Sequence, residues 1–274
     1  MEYKPSLPVH NDNVSHDQPI REFAILLSGC LAFALAVYWI LGLCVDVAVE
    51  YISPEMETLL FSPLSGAEYG LADATDPQQI ELQRLVDSLK NCVNIAYPVT
   101  VRLVTSEVPN AMAFPGGQIV VFSGLLEKVE SENGLSFILA HELAHFTNRD
   151  HLRGIGRGIV LTALMTFLAG DGGGVSKIFV PSVGLSQARY SQERESLADE
   201  QALRTLNCLY GHVGGAPEFF EAMKEESKGS LDSISHYFAS HPEAQERIDN
   251  LQQMVIGQSL MVKDVIGLQL QVEQ

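Results

Sequence analysis

Two histidines and the glutamate beside the first of them form the pattern with the clearest chemical meaning in this sequence. His141, Glu142 and His145 spell His-Glu-x-x-His within residues 131–146. Residues four apart on a helix share one face, so both imidazoles can bind one Zn²⁺. The Glu142 carboxylate can then accept a proton from the water that the metal activates. The pattern predicts zinc-dependent hydrolysis, provided that the chain supplies a third ligand.

Residues 131–146 are predicted to form one helix. Ser131 or Asn133 can begin it, because either side chain can accept a backbone N–H of the first turn. A helix with two ordinary histidines is the alternative interpretation, and a third ligand further along the chain would decide against it. Apolar side chains recur at intervals of four and three, the spacing of one helix face, at Leu135, Leu139, Leu143 and Phe146.

A second predicted helix, residues 188–206, carries the candidate third ligand. Glu195 and Asp199 are four apart and therefore share one face. Glu193 lies two residues before Glu195, roughly 200° around a helix, so only one of these glutamates can face the metal. Without the histidine pair, a solvated charged face would be the simpler interpretation of this stretch.

With these motifs the chain resembles the HtpX-like zinc metallopeptidases, relatives of the prenyl-protein endopeptidases and of mitochondrial quality-control proteases. The resemblance rests on His-Glu-Leu-Ala-His at residues 141–145, followed by Glu-x-x-Ala-Asp at residues 195–199. Residues 110–117 are similar to the family's strand–turn segment before the metal helix. Residues 240–248 are similar to its C-terminal His-Pro-x-x-x-x-Arg-Ile box. The four motifs stand in the family's order and cover roughly residues 78–252.

The resemblance implies an α+β, zincin-like fold of the gluzincin type, in which two helices carry the metal ligands beside a small sheet. It implies one Zn²⁺ per chain, with His141, His145 and Glu195 as its ligands. It also implies that Glu142 is the general base and that Asp199 orients a ligand histidine.

The C-terminal box holds the candidates for stabilising the negative charge that develops on the substrate during hydrolysis. These are His241 and Arg247. For His241 the alternative is a structural role at the start of a helix, and Tyr237 is a weaker candidate for the same function. His151 and His212 are interpreted as ordinary surface residues.

Residues 115–117, Pro-Gly-Gly, predict a turn between two strands, residues 111–114 and 118–122. A hairpin packed in the core is the simpler interpretation. The functional interpretation adds that one strand is an exposed edge beside the metal, where a peptide substrate can bind as an additional strand. The candidate substrate-binding residues are Asn110, Ala111, Met112 and Ala113.

Residues 23–45 carry no charge and are predicted to cross a membrane as a helix. Such a helix would be about 34 Å long, more than the roughly 30 Å of a bilayer's hydrocarbon core. Tyr38 and Trp39 lie near its far end, where aromatic rings favour the interface. The length of the run and its poorly basic leader argue against a cleaved signal peptide. A lipoprotein cleavage box at residues 27–30 is disfavoured because the apolar run continues beyond it.

The basic residues predict the orientation of this span. Lys4 and Arg21 precede it, and no other basic residue appears before Arg84. Because basic residues are enriched on the cytoplasmic side, we expect a cytoplasmic N-terminus and a catalytic domain outside. A single-pass protein of a bacterial inner membrane, with its catalytic domain in the periplasm, fits best. A mitochondrial location is less favoured because no Arg-rich presequence is present.

The predicted organisation has five parts. A disordered cytoplasmic tail (1–22) precedes the membrane helix (23–45), a linker (46–77), the zinc metallopeptidase domain (78–255) and a C-terminal tail (256–274).

Four stretches of the domain have local patterns of their own. Residues 78–92 are predicted to form a helix, and residues 98–105 a strand. Residues 159–169 are apolar all round but span only about 16 Å as a helix, so a buried or membrane-facing helix is favoured over a second span. The glycine run at residues 170–174 is predicted to be a flexible joint.

Composition excludes some functions. The net charge of −17 argues against nucleic-acid binding, because nothing here could neutralise a row of phosphates. Cys30 and Cys44 lie in the apolar run, and Cys92 and Cys208 are expected to be free more often than bridged. No Cys-x-x-Cys pair is present, so a zinc site built from cysteines is not expected.

The leading hypothesis is a membrane-anchored zinc endopeptidase whose partners are protein or peptide substrates and the membrane. The resemblance implies misfolded or misassembled envelope proteins as substrates. A non-proteolytic, chaperone-like zinc module is the alternative, although a structural zinc site needs no general base and prefers four protein ligands. A processing protease with one dedicated substrate is the third possibility. The sequence predicts no oligomeric state.

Overall fold

The computed structural model describes residues 18–61, 75–93, 95, 98–169, 192–227 and 244–270. For residues 161–169, 226–227 and 244, only the backbone is described. The tail at residues 1–17, the glycine joint at residues 170–174, Tyr237 and His241 lie outside this part of the chain.

The first helix, α1 (Pro19–Glu50), is 32 residues long. It is the one helix among the described residues that is long and apolar enough to cross a membrane. It begins before the predicted span and ends after it, and Pro19 suits the first helical turn, where its missing N–H costs no hydrogen bond. Most of its apolar side chains are exposed on the protein, Phe33 and Trp39 among them. A lipid bilayer is the solvent that such a surface favours.

The predicted linker, residues 46–77, contains the end of α1 and a second helix, α2 (Pro54–Phe61). Glu57 of α2 is fully buried. This part of the segment is therefore packed against the domain and does not behave as a simple spacer.

The third helix, α3 (Pro77–Lys90), agrees closely with the predicted helix at residues 78–92. The Asp76 side chain caps it by accepting the backbone N–H groups of Gln78 and Gln79. Its apolar face packs into the core through Leu82, Leu85, Val86 and Leu89.

A three-stranded sheet follows, with β1 (Thr100–Val104) parallel to β3 (Gln118–Phe122) and β2 (Ala111–Phe114) antiparallel to β3. The strand order is β1-β3-β2, so β2 lies at an edge. The predicted hairpin is confirmed. Gly116 and Gly117 turn the chain at φ angles of 85° and 75°, which side chains rarely tolerate.

The short helix α4 (Ser123–Leu126) leads to the central helix α5 (Glu132–Thr147), which matches the predicted helix to within one residue. Ser131 caps α5 by accepting the Gly134 N–H. All side chains from residue 133 to residue 146 are buried, so the predicted apolar face understates how completely α5 is enclosed.

Four helices complete the described domain: α6 (Asp150–Ala169), α7 (Gln192–Tyr210), α8 (Glu218–Ser227) and α9 (Ala244–Gly257). Helix α7 includes most of the predicted residues 188–206 and lies along α5. The core lies between α3, the sheet, α5, α7 and α8, and includes Val101, Val121, Leu139, Leu203 and Phe220. The predicted α+β class, with one N-terminal apolar helix, is confirmed.

The predicted C-terminal tail, residues 256–274, is docked on the domain as far as it is described. The Leu268 N–H donates to the Glu130 carbonyl at 2.9 Å, and the Glu132 N–H donates to the Ile266 carbonyl at 2.8 Å. These bonds hold the segment beside the start of α5.

Cys92 and Cys208 form a disulfide across a sequence separation of 116 residues. The sequence left this pairing open and favoured free cysteines, because the end of α3 and α7 become neighbours only in the folded chain. Cys30 and Cys44 are free and exposed on α1.

Candidate metal centre

Three side chains from two helices converge in the interior. His141 and His145 of α5 bring their Nε2 atoms within 3.0 Å of each other. The Glu195 carboxylate of α7 lies 3.4 Å from the His141 Nε2 and 3.6 Å from the His145 Nε2. All three residues are buried.

This donor set fits a zinc ion. Two ligands of one zinc cannot lie further apart than about 4.4 Å, twice the longest usual bond length of about 2.2 Å. All three pairs of donor atoms in the cluster are closer than that. Two imidazole nitrogens and one carboxylate are also the donor chemistry of catalytic zinc sites. Among the described residues, this is the one group of three or more candidate ligands that converges in this way.

The other nitrogen of each histidine faces an acid. The His141 Nδ1 lies 2.9 Å from Asp199 Oδ1, and the His145 Nδ1 lies 3.1 Å from Asp150 Oδ2. A carboxylate at Nδ1 fixes the ring and leaves Nε2 for a metal. The structure thus brings Asp199 to His141, as predicted for an orienting residue. This role was not assigned to Asp150 from the sequence. Its position five residues after His145 was the one available indication.

Electrostatics at the cluster favour a cation. Burial lowers the pKa of His145, but its hydrogen bond to the Asp150 carboxylate and the nearby Glu195 charge outweigh burial and raise the pKa to about 9. Burial and the Arg247 charge lower the pKa of His141, yet Asp199 and Glu195 prevail and raise it. The negative charge that raises these pKa values also attracts a divalent cation, which replaces the proton when it binds.

Glu142, the predicted general base, lies on α5 at the side that faces the sheet. Glu142 is fully buried, and its Oε2 accepts a 2.7 Å hydrogen bond from the backbone N–H of Ala113. Ala113 belongs to β2, and this N–H is directed away from β3. The outer edge of β2 therefore faces the carboxylate of the predicted base.

The four predicted substrate-binding residues lie at the beginning of β2. Asn110 and Ala111 are buried, whereas Met112 and Ala113 are half-buried. The predicted edge strand beside the metal helix is therefore present, and its contact with substrate stays a prediction.

The opposite edge of the sheet is covered. Two glutamines of α3, Gln79 and Gln83, bond to the backbone of β1. The Gln79 side chain donates to the Val101 carbonyl at 2.6 Å and accepts from the Leu103 N–H at 2.7 Å. The Gln83 side chain accepts from the Val101 N–H at 2.9 Å. Since these amides occupy the outer groups of β1, a peptide strand would have to add at β2.

Arg247, on α9, lies behind the ligands. Its Nη1 is 3.0 Å from Glu195 Oε2, and its Nε donates to Asp199 Oδ2 at 2.9 Å. The guanidinium also stacks over the ring of Phe220, 4.3 Å from its centroid, and is buried. These contacts favour a role in positioning Glu195 and Asp199 over the predicted contact with the substrate's developing charge.

His151 and His212 are buried, so their interpretation as surface residues was wrong. The His151 Nε2 lies 3.0 Å from Glu57 Oε1, and the His212 Nδ1 accepts the Gly214 N–H at 3.1 Å. Nothing in the sequence distinguishes Glu57 from the other acidic residues that follow the apolar run. It is buried because α2 packs it against Gly116, Arg149 and His151.

Comparison with known proteins assigns the family. A sequence model of peptidase family M48 matches residues 76–255, and the chain belongs to this family. It is 25% identical over 217 residues to "Protease HtpX homolog" of Salinibacter ruber, covering 68% of this chain and 78% of that protein. It is 24% identical over 186 residues to "Metalloprotease LoiP" of Escherichia coli, covering 66% and 72% respectively. The recognition of an HtpX-like metallopeptidase from the sequence is confirmed.

Other relatives are longer proteins. The chain is 26% identical over 153 residues to "Mitochondrial metalloendopeptidase OMA1" of Schizosaccharomyces pombe, covering 55% of this chain and 45% of that protein. The chain therefore spans less than half the length of that relative.

Proposed function

We propose that this protein is a membrane-anchored, zinc-dependent metalloendopeptidase that hydrolyses peptide bonds. The observation that carries the proposal is the convergence of His141, His145 and Glu195 beside the buried carboxylate of Glu142. Membership of peptidase family M48 supports the same activity.

The proposed mechanism assigns a role to each residue. His141, His145 and Glu195 would hold the zinc, which supplies Lewis-acid activation of water and of the scissile carbonyl. Glu142 accepts the proton of the attacking water and delivers it to the leaving amine. Asp199 and Asp150 keep the two ligand rings in place through their Nδ1 atoms.

The substrate would bind as an extended strand along the outer edge of β2. Within residues 110–113, the outward-facing backbone groups, those of Ala111 and the Ala113 carbonyl, would supply main-chain hydrogen bonds to it. The Ala113 contact with Glu142 places this edge next to the proposed base. His241 remains our candidate for stabilising the developing oxyanion, whereas Arg247 is assigned to positioning the ligands.

We further propose that the chain is a single-pass protein of a bacterial inner membrane with its catalytic domain in the periplasm. The basic residues before the span support this orientation. The Cys92–Cys208 disulfide also supports it, because disulfides persist in oxidising compartments. The substrates would be misfolded or misassembled envelope proteins, in keeping with relatives named LoiP, HtpX homolog and "Putative beta-barrel assembly-enhancing protease" of Vibrio cholerae.

Casein hydrolysis by the full chain in detergent tests the activity. Hydrolysis should stop when a chelator removes the metal and resume when zinc is added. Glu142→Gln should keep its metal and lose at least about a hundredfold in rate, whereas the exposed Glu127→Gln should match the parent. Zinc binding without hydrolysis would favour the chaperone-like alternative, and hydrolysis of one native substrate alone would favour a dedicated processing protease.

A further inference from the structure

The membrane-spanning helix is packed against the peptidase domain. Val45 of α1 fills a notch at Gly156 of α6, where an added Cβ would lie 2.5 Å from Val45 Cγ1. Gly42 comes close to Arg157, one residue further along α6. Since earlier residues of α1 meet later residues of α6, the two helices run antiparallel. The end of the anchor is therefore part of the domain surface.

Asp46 lies at this contact and faces three arginines. Arg157 of α6 donates a hydrogen bond to its Oδ2. The Arg153 Nε lies 3.7 Å from Asp46 Oδ1, and the Arg194 Nη2 lies 3.8 Å from the same oxygen. Arg194 belongs to α7, the helix that also carries Glu195. Asp46 thus connects α1 with both α6 and α7.

Arg194 extends this network to a metal ligand. Its Nη1 lies 3.1 Å from Asp150 Oδ1. The other oxygen of Asp150 lies 3.1 Å from the Nδ1 of His145. A continuous series of polar contacts therefore runs from the anchor through Arg194 and Asp150 to His145.

We propose that Asp46 is a positioning residue for the metal ligand His145, acting through Arg194 and Asp150. The inference rests on the metal site of the proposed function and adds the membrane anchor to its support.

Arg194 divides its positive charge between Asp46 and Asp150. While Asp46 shares the guanidinium, the Asp150 carboxylate keeps negative charge for the His145 Nδ1–H. Without the Asp46 charge, Arg194 would turn fully to Asp150 and weaken that hold. A histidine whose outer partner is weakened is a poorer metal ligand.

Metal affinity of the full chain in detergent micelles measures the effect. Zinc affinity is determined by competition with a chelator, and the absorption spectrum of the Co²⁺-loaded protein reports the ligand geometry. Asp46→Asn should weaken zinc binding about threefold to tenfold and shift the Co²⁺ spectrum, somewhat less than loss of a direct partner does. The matched control is Glu50→Gln, since Glu50 is exposed and lies 3.6 Å from Arg153.

A double variant tests the route. If Asp46 acts through Arg194, Asp46→Asn combined with Arg194→Gln should bind zinc no more weakly than Arg194→Gln alone. If the double variant instead lost zinc affinity by the product of the two single-variant factors, the coupling would be overturned. So would an Asp46→Asn protein with parental zinc affinity and Co²⁺ spectrum, even if it unfolds at a lower temperature, because Asp46 would then only fix the anchor on α6.

Asp46→Glu keeps the test open if the asparagine variant does not fold. This variant retains the charge, and its zinc affinity should stay within about twofold of the parent. A loss of about threefold or more would overturn the proposal. Casein hydrolysis separates this inference from the proposed function. If zinc affinity depends on Asp46 but the parent does not hydrolyse casein, the proposed protease activity is refuted. If the parent hydrolyses casein but its zinc affinity does not depend on Asp46, the coupling is refuted.

Discussion

The backbone N–H of Ala113 donates a 2.7 Å hydrogen bond to the carboxylate of Glu142. The proposed general base is therefore in direct contact with β2, the strand along which we propose that the substrate binds. The contact is made by the main chain, so ordinary side-chain changes at residue 113 leave it in place. It fixes the distance between the edge of β2 and the metal helix.

Ala113→Pro removes this donor. Proline is tolerated on an edge strand where the N–H points away from the neighbouring strand, and the extended backbone of Met112 suits a following proline. We expect kcat/KM for casein to fall at least about tenfold, with the metal content unchanged. Ala113→Ser keeps the N–H and serves as the control. Parental activity in the proline variant would show that neither substrate nor Glu142 needs this group.

The two neighbouring glutamates of α7 give a sharp test of the ligand set. Glu195 is buried against both histidines, whereas Glu193 is exposed. Glu195→Ala should weaken zinc binding at least about a hundredfold, because it removes one of three protein ligands. Glu193→Ala should bind zinc like the parent. Metal analysis after dialysis checks both, and a reversed result would reassign the ligand.

Local patterns were sufficient for the parts of the site that lie within one element. The spacing of His141 and His145, and that of Glu195 and Asp199, follows from the helical repeat alone. The Pro-Gly-Gly turn at residues 115–117 likewise needs no tertiary information. These features depend on the repeat of a helix or on a short turn motif, and both can be recognised from the spacing of residues along the sequence.

The missed features join residues far apart in the chain. Glu57 and His151 are 94 positions apart, and Cys92 and Cys208 are 116 apart. Neither pair shares a helix face or a strand register, so no periodicity reports the contact. Arg247 was recognised through its motif, but its direction toward Glu195 depends on how α9 packs against α7. Packing between elements decides such contacts.

The disulfide should contribute strongly to stability because it closes a long loop. For a loop of this length the chain-entropy estimate is about 4–5 kcal/mol, and removal of native disulfides typically costs about 2–5 kcal/mol. Cys92→Ser should therefore lower the Tm of the full chain in detergent clearly. Cys30→Ser and Cys44→Ser are the controls, since both cysteines are free. A Cys92→Ser protein with the parental Tm in the absence of reductant would contradict the prediction.

The buried carboxylate of Glu57 predicts a pH-dependent stability. Burial raises its pKa, but His151, the Gly116 N–H and Arg149 outweigh burial and hold the pKa below the ordinary value of 4.5. Because the pKa is lower in the folded than in the unfolded chain, Glu57 stabilises the fold fully above about pH 4.5. This contribution declines as the pH falls through the folded-state pKa.

Glu57→Gln should therefore lower the free energy of unfolding by about 1–3 kcal/mol at pH 7, since it leaves His151 and Arg149 without a charged partner at this position. The deficit relative to the parent should shrink as the pH falls below the ordinary value of 4.5 and through the folded-state pKa, because the parent then takes up a proton on the same side chain. Thermal unfolding in detergent at several pH values measures both quantities. Glu55→Gln, on the same helix but exposed, should change stability little at any of them. A deficit that is equal at pH 7 and at low pH would mean that the packing of the Glu57 side chain, and not its charge, accounts for its contribution to stability.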